Sequence, residues 1–179
     1  VVTSALAFSD MRIMGPKYMT AGMGDGGACH PRDNIALRWM AEHLGLGYDL
    51  FDAIMGAREV QAENLAKKLM SYNLPIVIVG KAYKPHVPYT NGSYSLLIGH
   101  YIEKAGRTLY YKDEHTGDQP PKDLGRAVYL LAHNPNVTYG TDDNAVYDFP
   151  TGSIIVDPWR QCPQIEGCTL VEYGNTRNL

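Results

Sequence analysis

Cys29 closes a glycine-rich stretch, Gly22-Met23-Gly24-Asp25-Gly26-Gly27-Ala28, and stands where a helix is about to begin. A thiol in that place feels the positive end of the helix dipole, and Arg32 lies three residues further on. Both favour the thiolate, the nucleophilic form of cysteine. Asp33 follows the cysteine by four residues, placed either to act as a base or to cap the helix. Taken alone, a cysteine is more often a small buried residue than a nucleophile. The flexible loop, the thiol and the carboxylate together put the two readings on an equal footing.

The same loop satisfies the pattern G-x-G-x-x-G through Gly22, Gly24 and Gly27. A dinucleotide site of that type needs a strand to deliver the turn and a helix N-terminus to receive the pyrophosphate. Gly15-Pro16-Lys17-Tyr18-Met19-Thr20 does not read as a buried strand, and Cys29-His30-Pro31 intervene before the helical pattern. Gly80 follows a good strand but has no further glycines at the required offsets. Neither loop reads as an NAD site.

The elements that must hold these residues change character near Asn73-Leu74-Pro75. Before it the pattern is helical. Asp33 is a candidate N-cap, with Ile35, Ala36, Trp39, Met40 and Leu44 recurring at helical spacing and Gly45 as the stop. A second helical stretch covers residues 48–70, with Gly56 weakening it in the middle. After Pro75, Ile76-Val77-Ile78-Val79 reads as a buried parallel strand. Ser93 caps an expected helix carrying Leu96, Leu97, Tyr101, Ile102 and Ala105, ended by Gly106. Further strands are expected at 108–111, 127–132, 153–156 and 169–173, with loops rich in Gly, Pro, Asp and Asn between them. The fold class is therefore α/β: an N-terminal helical region, residues 1–73, followed by a small Rossmann-like parallel-sheet domain, residues 74–179.

Composition narrows the partners. The chain has 179 residues, 45% apolar and 20% charged, with 16 basic against 19 acidic residues and a net charge of −3. That is an ordinary globular composition, without the positive face that general nucleic-acid or anionic-membrane binding requires. The apolar run from Leu74 to Val79 is far short of the roughly 20 residues of a membrane span, and the first eight residues lack the features of a signal peptide. Cys29, Cys162 and Cys168 are too few for a disulfide scaffold, and their spacing matches no metal knuckle, so no metal is expected. A reduced, cytoplasmic setting fits, and the initial Val1 in place of Met suggests a piece of a longer chain.

Three segments then resemble one family. Gly26-Gly27-Ala28-Cys29-His30-Pro31-Arg32-Asp33 is similar to the G-G-x-C-x-P-K-D segment of the UDP-glucose/GDP-mannose (nucleotide-sugar) dehydrogenases. Ile76-Val77-Ile78-Val79-Gly80-Lys81-Ala82-Tyr83-Lys84-Pro85 looks like that family's strand and A-F-K-P turn, and Ile154-Ile155-Val156-Asp157-Pro158 like its I-I-D-P strand end. They stand in family order and span the family's central dimerisation region and its UDP-binding domain. The resemblance implies an NAD-dependent four-electron oxidation of a nucleotide sugar's C6 alcohol to a carboxylate, through a cysteine thiohemiacetal and thioester. The NAD domain lies outside the resemblance.

By motif position Cys29 is the nucleophile and Asp33 its polar partner. Gly26 and Gly27 present backbone to the sugar, Lys84 pairs with the nucleotide sugar, and Tyr18 and Arg12 match further substrate contacts. A UDP-sugar, UDP-glucose first, is the expected substrate, with GDP-mannose or a UDP-N-acetylhexosamine as alternatives, and a homodimer is the expected assembly. A non-catalytic, dimerising nucleotide-sugar-binding module is the reading from another class. The sequence departs from the family at Arg32, which replaces a lysine, and at Asn91 and Gly92, where the family places arginine and glutamate. His30 reads as structural or as weakly tuning Cys29.

Overall fold

The computed structural model describes residues 20–24, 27–140 and 147–174. Helix α1 runs over Cys29–His43, α2 over Leu50–Met70, α3 over Tyr94–Lys104 and the single turn α4 over Pro135–Thr138. Strands β1 Ile76–Val79, β2 Leu109–Lys112, β3 Val128–Leu131, β4 Ile154–Asp157 and β5 Thr169–Glu172 form one sheet in the order β2-β1-β3-β4-β5. Every pairing is parallel, with Ile76 beside Leu109 on one side and Val128 on the other. The α/β class and the parallel sheet expected from the sequence are both found.

β1 and β3 are buried on both faces, which is why they read as unbroken apolar runs. The period of two sends Ile76, Ile78, Val128 and Leu130 to one core, where Leu65 and Leu69 of α2 and Ile98 and Ile102 of α3 meet them. Val77, Val79, Tyr129 and Leu131 face the other way, onto Phe149, Ile155 and Cys162, with Tyr139, Tyr147 and Trp159 packed around them. Burial pushes the Cys162 thiol up to about 12, so it behaves as a small core residue.

α1 begins four residues before the expected cap. Asp33 sits inside the helix, and the N-cap position is Ala28, whose side chain makes no cap bond. Pro31 does not prevent this, because a missing N–H in the first turn costs no intrahelical hydrogen bond. The face of α1 that packs inward carries Asn34 and Ala41, while Ile35, Trp39, Met40 and Leu44 remain exposed. α2 is one continuous helix through Gly56, and its Asp49 cap accepts hydrogen bonds from the Phe51 and Asp52 N–H groups at 3.0 Å.

One substitution made in two helices has opposite expected signs. A methyl at Gly56 meets open space, so Gly56→Ala should stabilise the chain by about 0.8–1 kcal/mol through helix propensity. A methyl at Gly99 runs into the Tyr111 hydroxyl, so Gly99→Ala should destabilise it by about 1–3 kcal/mol. Urea denaturation of both variants measures this, and equal signs would contradict the packing of α3 on β2.

Candidate active site at the carboxyl ends of the strands

Because the strand order reverses between β1 and β3, the chain leaves their carboxyl ends in opposite directions and opens a crevice, the usual ligand position in such sheets. Gly80 follows β1 at φ 103°, a conformation that favours glycine, and a Cβ there would lie 2.5 Å from the His133 ring. The turn after it is tied down from four sides. Asp113 Oδ2 accepts the N–H groups of Lys81 and Ala82 at 2.8 and 2.9 Å. The Ser93 and Ser95 hydroxyls donate to the carbonyls of Lys81 and Gly80, each at 2.7 Å. His133 donates Nε2–H to the Ala82 carbonyl at 2.9 Å. Lys81 itself turns away, its ammonium bound to both Asp118 oxygens at 2.9 Å.

This clamp sets Tyr83 and Lys84. Lys84 is exposed, its ammonium 5.3 Å from the centroid of the Tyr83 ring. Tyr83 in turn meets the cysteine loop: a Cβ on Gly27 would lie 3.4 Å from its ring. Gly92 packs from the other side, at φ 74°, where a Cβ would lie 2.5 Å from the Gly27 carbonyl oxygen and 2.6 Å from the Ala28 Cα. Gly92, which stands where the family pattern has glutamate, is thus the residue that lets the two loops touch.

Cys29 is the first residue of α1, exposed and not in a disulfide. Arg32 Nε binds Asp33 Oδ1 at 2.8 Å. The guanidinium proton is held more tightly than usual, first by that hydrogen bond, then by the Asp33 charge and by Cys29. Thiol, guanidinium and carboxylate therefore form one exposed group on the first two turns of α1. His30 is held by Asn34, whose Nδ2 donates to the His30 carbonyl at 2.8 Å.

A cavity of about 390 Å³ lies between the Gly22–Gly24 segment and the clamped turn, lined by Met23, Tyr83, Lys84, His133, Asn134 and Trp159. Trp159 is fixed by its indole N–H, which donates to the Leu131 carbonyl at 2.9 Å, and its backbone N–H donates to Asp157. The fully buried Asp157 also accepts the Gln161 and Cys162 N–H groups, so the D-P strand end serves as an anchor for the lid of this cavity. The structure thus brings Gly27, and behind it the start of α1 with Cys29 and Asp33, up to the turn that carries Lys84. Tyr18, Gly26 and Arg12 lie outside the described residues. Sequence reasoning missed His133, Asp113 and Trp159, which hold the site together from distant parts of the chain.

The NAD implied by the resemblance does not fit the described residues. The space a pyrophosphate would need over Gly80 is filled by the His133 ring, and Gly22 and Gly24 are pressed against Trp159 and Tyr94. No step through the cofactor is assigned to these residues.

A sequence model described as the UDP-glucose/GDP-mannose dehydrogenase family, central domain, matches residues 2–59. The chain is 26% identical over 162 residues to UDP-glucose 6-dehydrogenase TuaD of Bacillus subtilis (strain 168), covering 88% of the chain and 33% of that protein. It is 27% identical to UDP-glucose 6-dehydrogenase of Gallus gallus, covering 86% of the chain and 30% of that protein. It thus spans about a third of the length of these relatives. A UDP-glucose dehydrogenase structure from Pyrobaculum islandicum shares the fold, with a TM-score of 0.68 at 20% identity over 95% of this chain and 42% of that one.

His133 gives the site a pH signature. Burial, ahead of every other influence, pushes its imidazole below the ordinary 6.5, so the folded chain keeps it neutral where the unfolded chain protonates it. The unfolded state then binds more protons, and stability falls as pH drops below about 6.5 toward the lowered folded value. The melting temperature should fall between about pH 7.5 and 5.5, and fall less in His133→Gln, which can still donate to Ala82 but does not titrate. An equal fall in both would show that the imidazole is not kept neutral by the fold.

Proposed function

Since the chain belongs to the UDP-glucose/GDP-mannose dehydrogenase family, we propose that it forms the nucleotide-sugar-holding part of an NAD-dependent dehydrogenase. That enzyme oxidises the C6 alcohol of a UDP-sugar, UDP-glucose first, to the uronate. The observation that carries the reading is the meeting of the Cys29 loop with the clamped Lys84 turn through Gly27, Tyr83 and Gly92. It places the loop that leads into Cys29 against the turn of Lys84, which lines a cavity of about 390 Å³.

In this reading Lys84 binds the nucleotide sugar and steadies negative charge on its oxygens. The Cys29 sulfur adds to the C6 aldehyde carbon, forming a C–S bond while the carbonyl π pair moves to oxygen, which takes up a proton as the thiohemiacetal. The step needs the sulfur as thiolate, the nucleophilic form of cysteine. Asp33 assists the water that later cleaves the thioester, releasing the carboxylate and returning the thiol. Forming the aldehyde and turning the thiohemiacetal into the thioester would each require a hydride acceptor of the NAD class, for which the described residues form no site.

The assembly we assign is a homodimer. Ile35 at 58%, Trp39 at 63% and Met40 at 48% exposure lie on the outward half of α1, and Leu44 at 66% follows at its C-cap. Large apolar side chains grouped in this way mark a surface meant to be covered. No helix among the described residues is long and apolar enough to cross a membrane.

Two experiments test this. Calorimetric titration should show UDP-glucose binding in preference to GDP-mannose, weakened roughly tenfold in Lys84→Ala, the order expected for one lost charge-assisted hydrogen bond. UDP-glucose should also slow alkylation of Cys29. No nucleotide-sugar binding by the wild-type chain, or unprotected alkylation, would overturn the reading. Sedimentation should find a dimer that dissociates in the Trp39→Asp/Leu44→Asp variant, and a monomeric wild type would remove the dimer.

A further inference from the structure

Outside the Cys29 and Lys84 loops, the turns leaving β1 and β2 carry a second constellation. The two strands are neighbours, with Val79 beside Lys112, so their carboxyl-terminal turns lie side by side. His86 comes from the first turn, Glu114 and His115 from the second, and all three line a smaller cavity of about 190 Å³. His133 borders both cavities. We infer that His86, Glu114 and His115 form a binding site for a divalent transition-metal ion of the zinc class.

The distances suit such an ion. His86 Nδ1 and His115 Nε2 are 3.3 Å apart. Two nitrogens bound tetrahedrally at about 2.0–2.1 Å from zinc stand about 3.3–3.4 Å from each other. Glu114 Oε1 lies 3.9 Å from His115 Nε2, and one ligand atom from each of the three residues falls within 4.8 Å of the others. The Glu114 side chain is 80% exposed, so a small rotation brings its oxygen to the same spacing. Two imidazoles and a carboxylate are three of the four ligands that zinc takes, and water or an anionic oxygen completes the set.

The backbone already holds the two histidines in place. Asp113 Oδ1 accepts the His115 N–H at 3.0 Å, and the Asp113–Asp118 backbone pair, at 2.9 and 3.0 Å, closes the turn that carries Glu114 and His115. His86 sits at φ 62°, a left-handed conformation that residues other than glycine adopt seldom, and it points its ring at His115, centroids 5.4 Å apart. Imidazole nitrogen favours zinc, nickel and copper over magnesium and calcium. The ion would join the β1 and β2 turns, and the inference does not depend on the sugar-binding reading. Sequence spacing could not point to it, because His86 and His115 are 29 residues apart.

The test is calorimetric titration of the chelator-stripped chain with zinc chloride and, separately, magnesium chloride, followed by cobalt substitution read by visible absorption. One zinc ion per chain should bind, with no heat from magnesium. Cobalt should give the strong visible bands of a four-coordinate site without the near-ultraviolet thiolate band that a cysteine ligand would add. Affinity should fall at least about tenfold in His115→Gln and in His86→Asn, since each removes one of three protein ligands. Asparagine keeps the left-handed backbone at position 86, and unchanged melting curves would show that both variants fold. A silent zinc titration would reduce the pair to a histidine–histidine hydrogen bond and overturn the site. Binding that survives both substitutions but is lost in Cys29→Ser would place the ion at the thiol and overturn it equally.

Discussion

The Asp113 carboxylate is the joint on which the described structure turns. One of its oxygens takes the Lys81 and Ala82 N–H groups, and the other takes the N–H of His115. Without them three backbone donors at the crowded ends of β1 and β2 would lose their partners, each at a cost of about 1–3 kcal/mol where it is buried. The Gly80–Pro85 turn, the Tyr83 platform for the cysteine loop and the Lys84 ammonium all lie downstream of that one side chain. His133 completes the joint from β3. It fills the volume over Gly80 and donates to the Ala82 carbonyl, so the turn is satisfied on both its N–H and its C=O sides.

The regular elements were legible in the sequence because each is written locally. Ile76–Val79 is a β-branched run closed by glycine, and its burial on both faces follows from a parallel sheet. α2 and α3 came from apolar periodicity, and the strands beginning at Leu109, Val128, Ile154 and Thr169 from short apolar runs between turn residues. The start of α1 was misplaced because Asp33 and Pro31 both look like boundary residues, yet a first turn tolerates proline and a later turn tolerates aspartate. Cys29, Asp33, Gly27 and Lys84 were legible as motif positions. Asp113, His133 and Trp159 were not, because their hydrogen bonds join residues 28 to 51 positions apart and no local pattern announces such a partner.

The glycines explain why the family pattern can change at residue 92 without the loops separating. A side chain at that position would meet backbone, the Gly27 carbonyl and the Ala28 Cα, and backbone cannot swing aside as the end of a flexible side chain can. A glutamate there would forbid the close approach that Gly92 allows. The same logic separates the two glycine motifs. Gly22 and Gly24 lack side chains because aromatic rings lie against them, whereas a phosphate-binding loop lacks them so that a ligand can come near.

Cys29 is carried by a long helix with little burial. Only Asn34 and Ala41 of α1 are buried, and its ion pairs to the α2 cap region, Arg38 with Asp52 at 3.0 Å and with Asp49 at 3.9 Å, are exposed and contribute little. What orients the thiol is therefore the contact of Gly27 with Tyr83 and of Gly92 with the loop, at one end of a helix whose other side offers Ile35, Trp39, Met40 and Leu44 to solvent. Covering such side chains fully is worth about 1.5–3 kcal/mol each. A surface that covers them would fix the axis of α1 and with it the position of Cys29 at its start. In the proposed dimer, association and the placement of the Cys29 thiol would then be coupled, because the surface that covers α1 would also set that helix against the Lys84 turn.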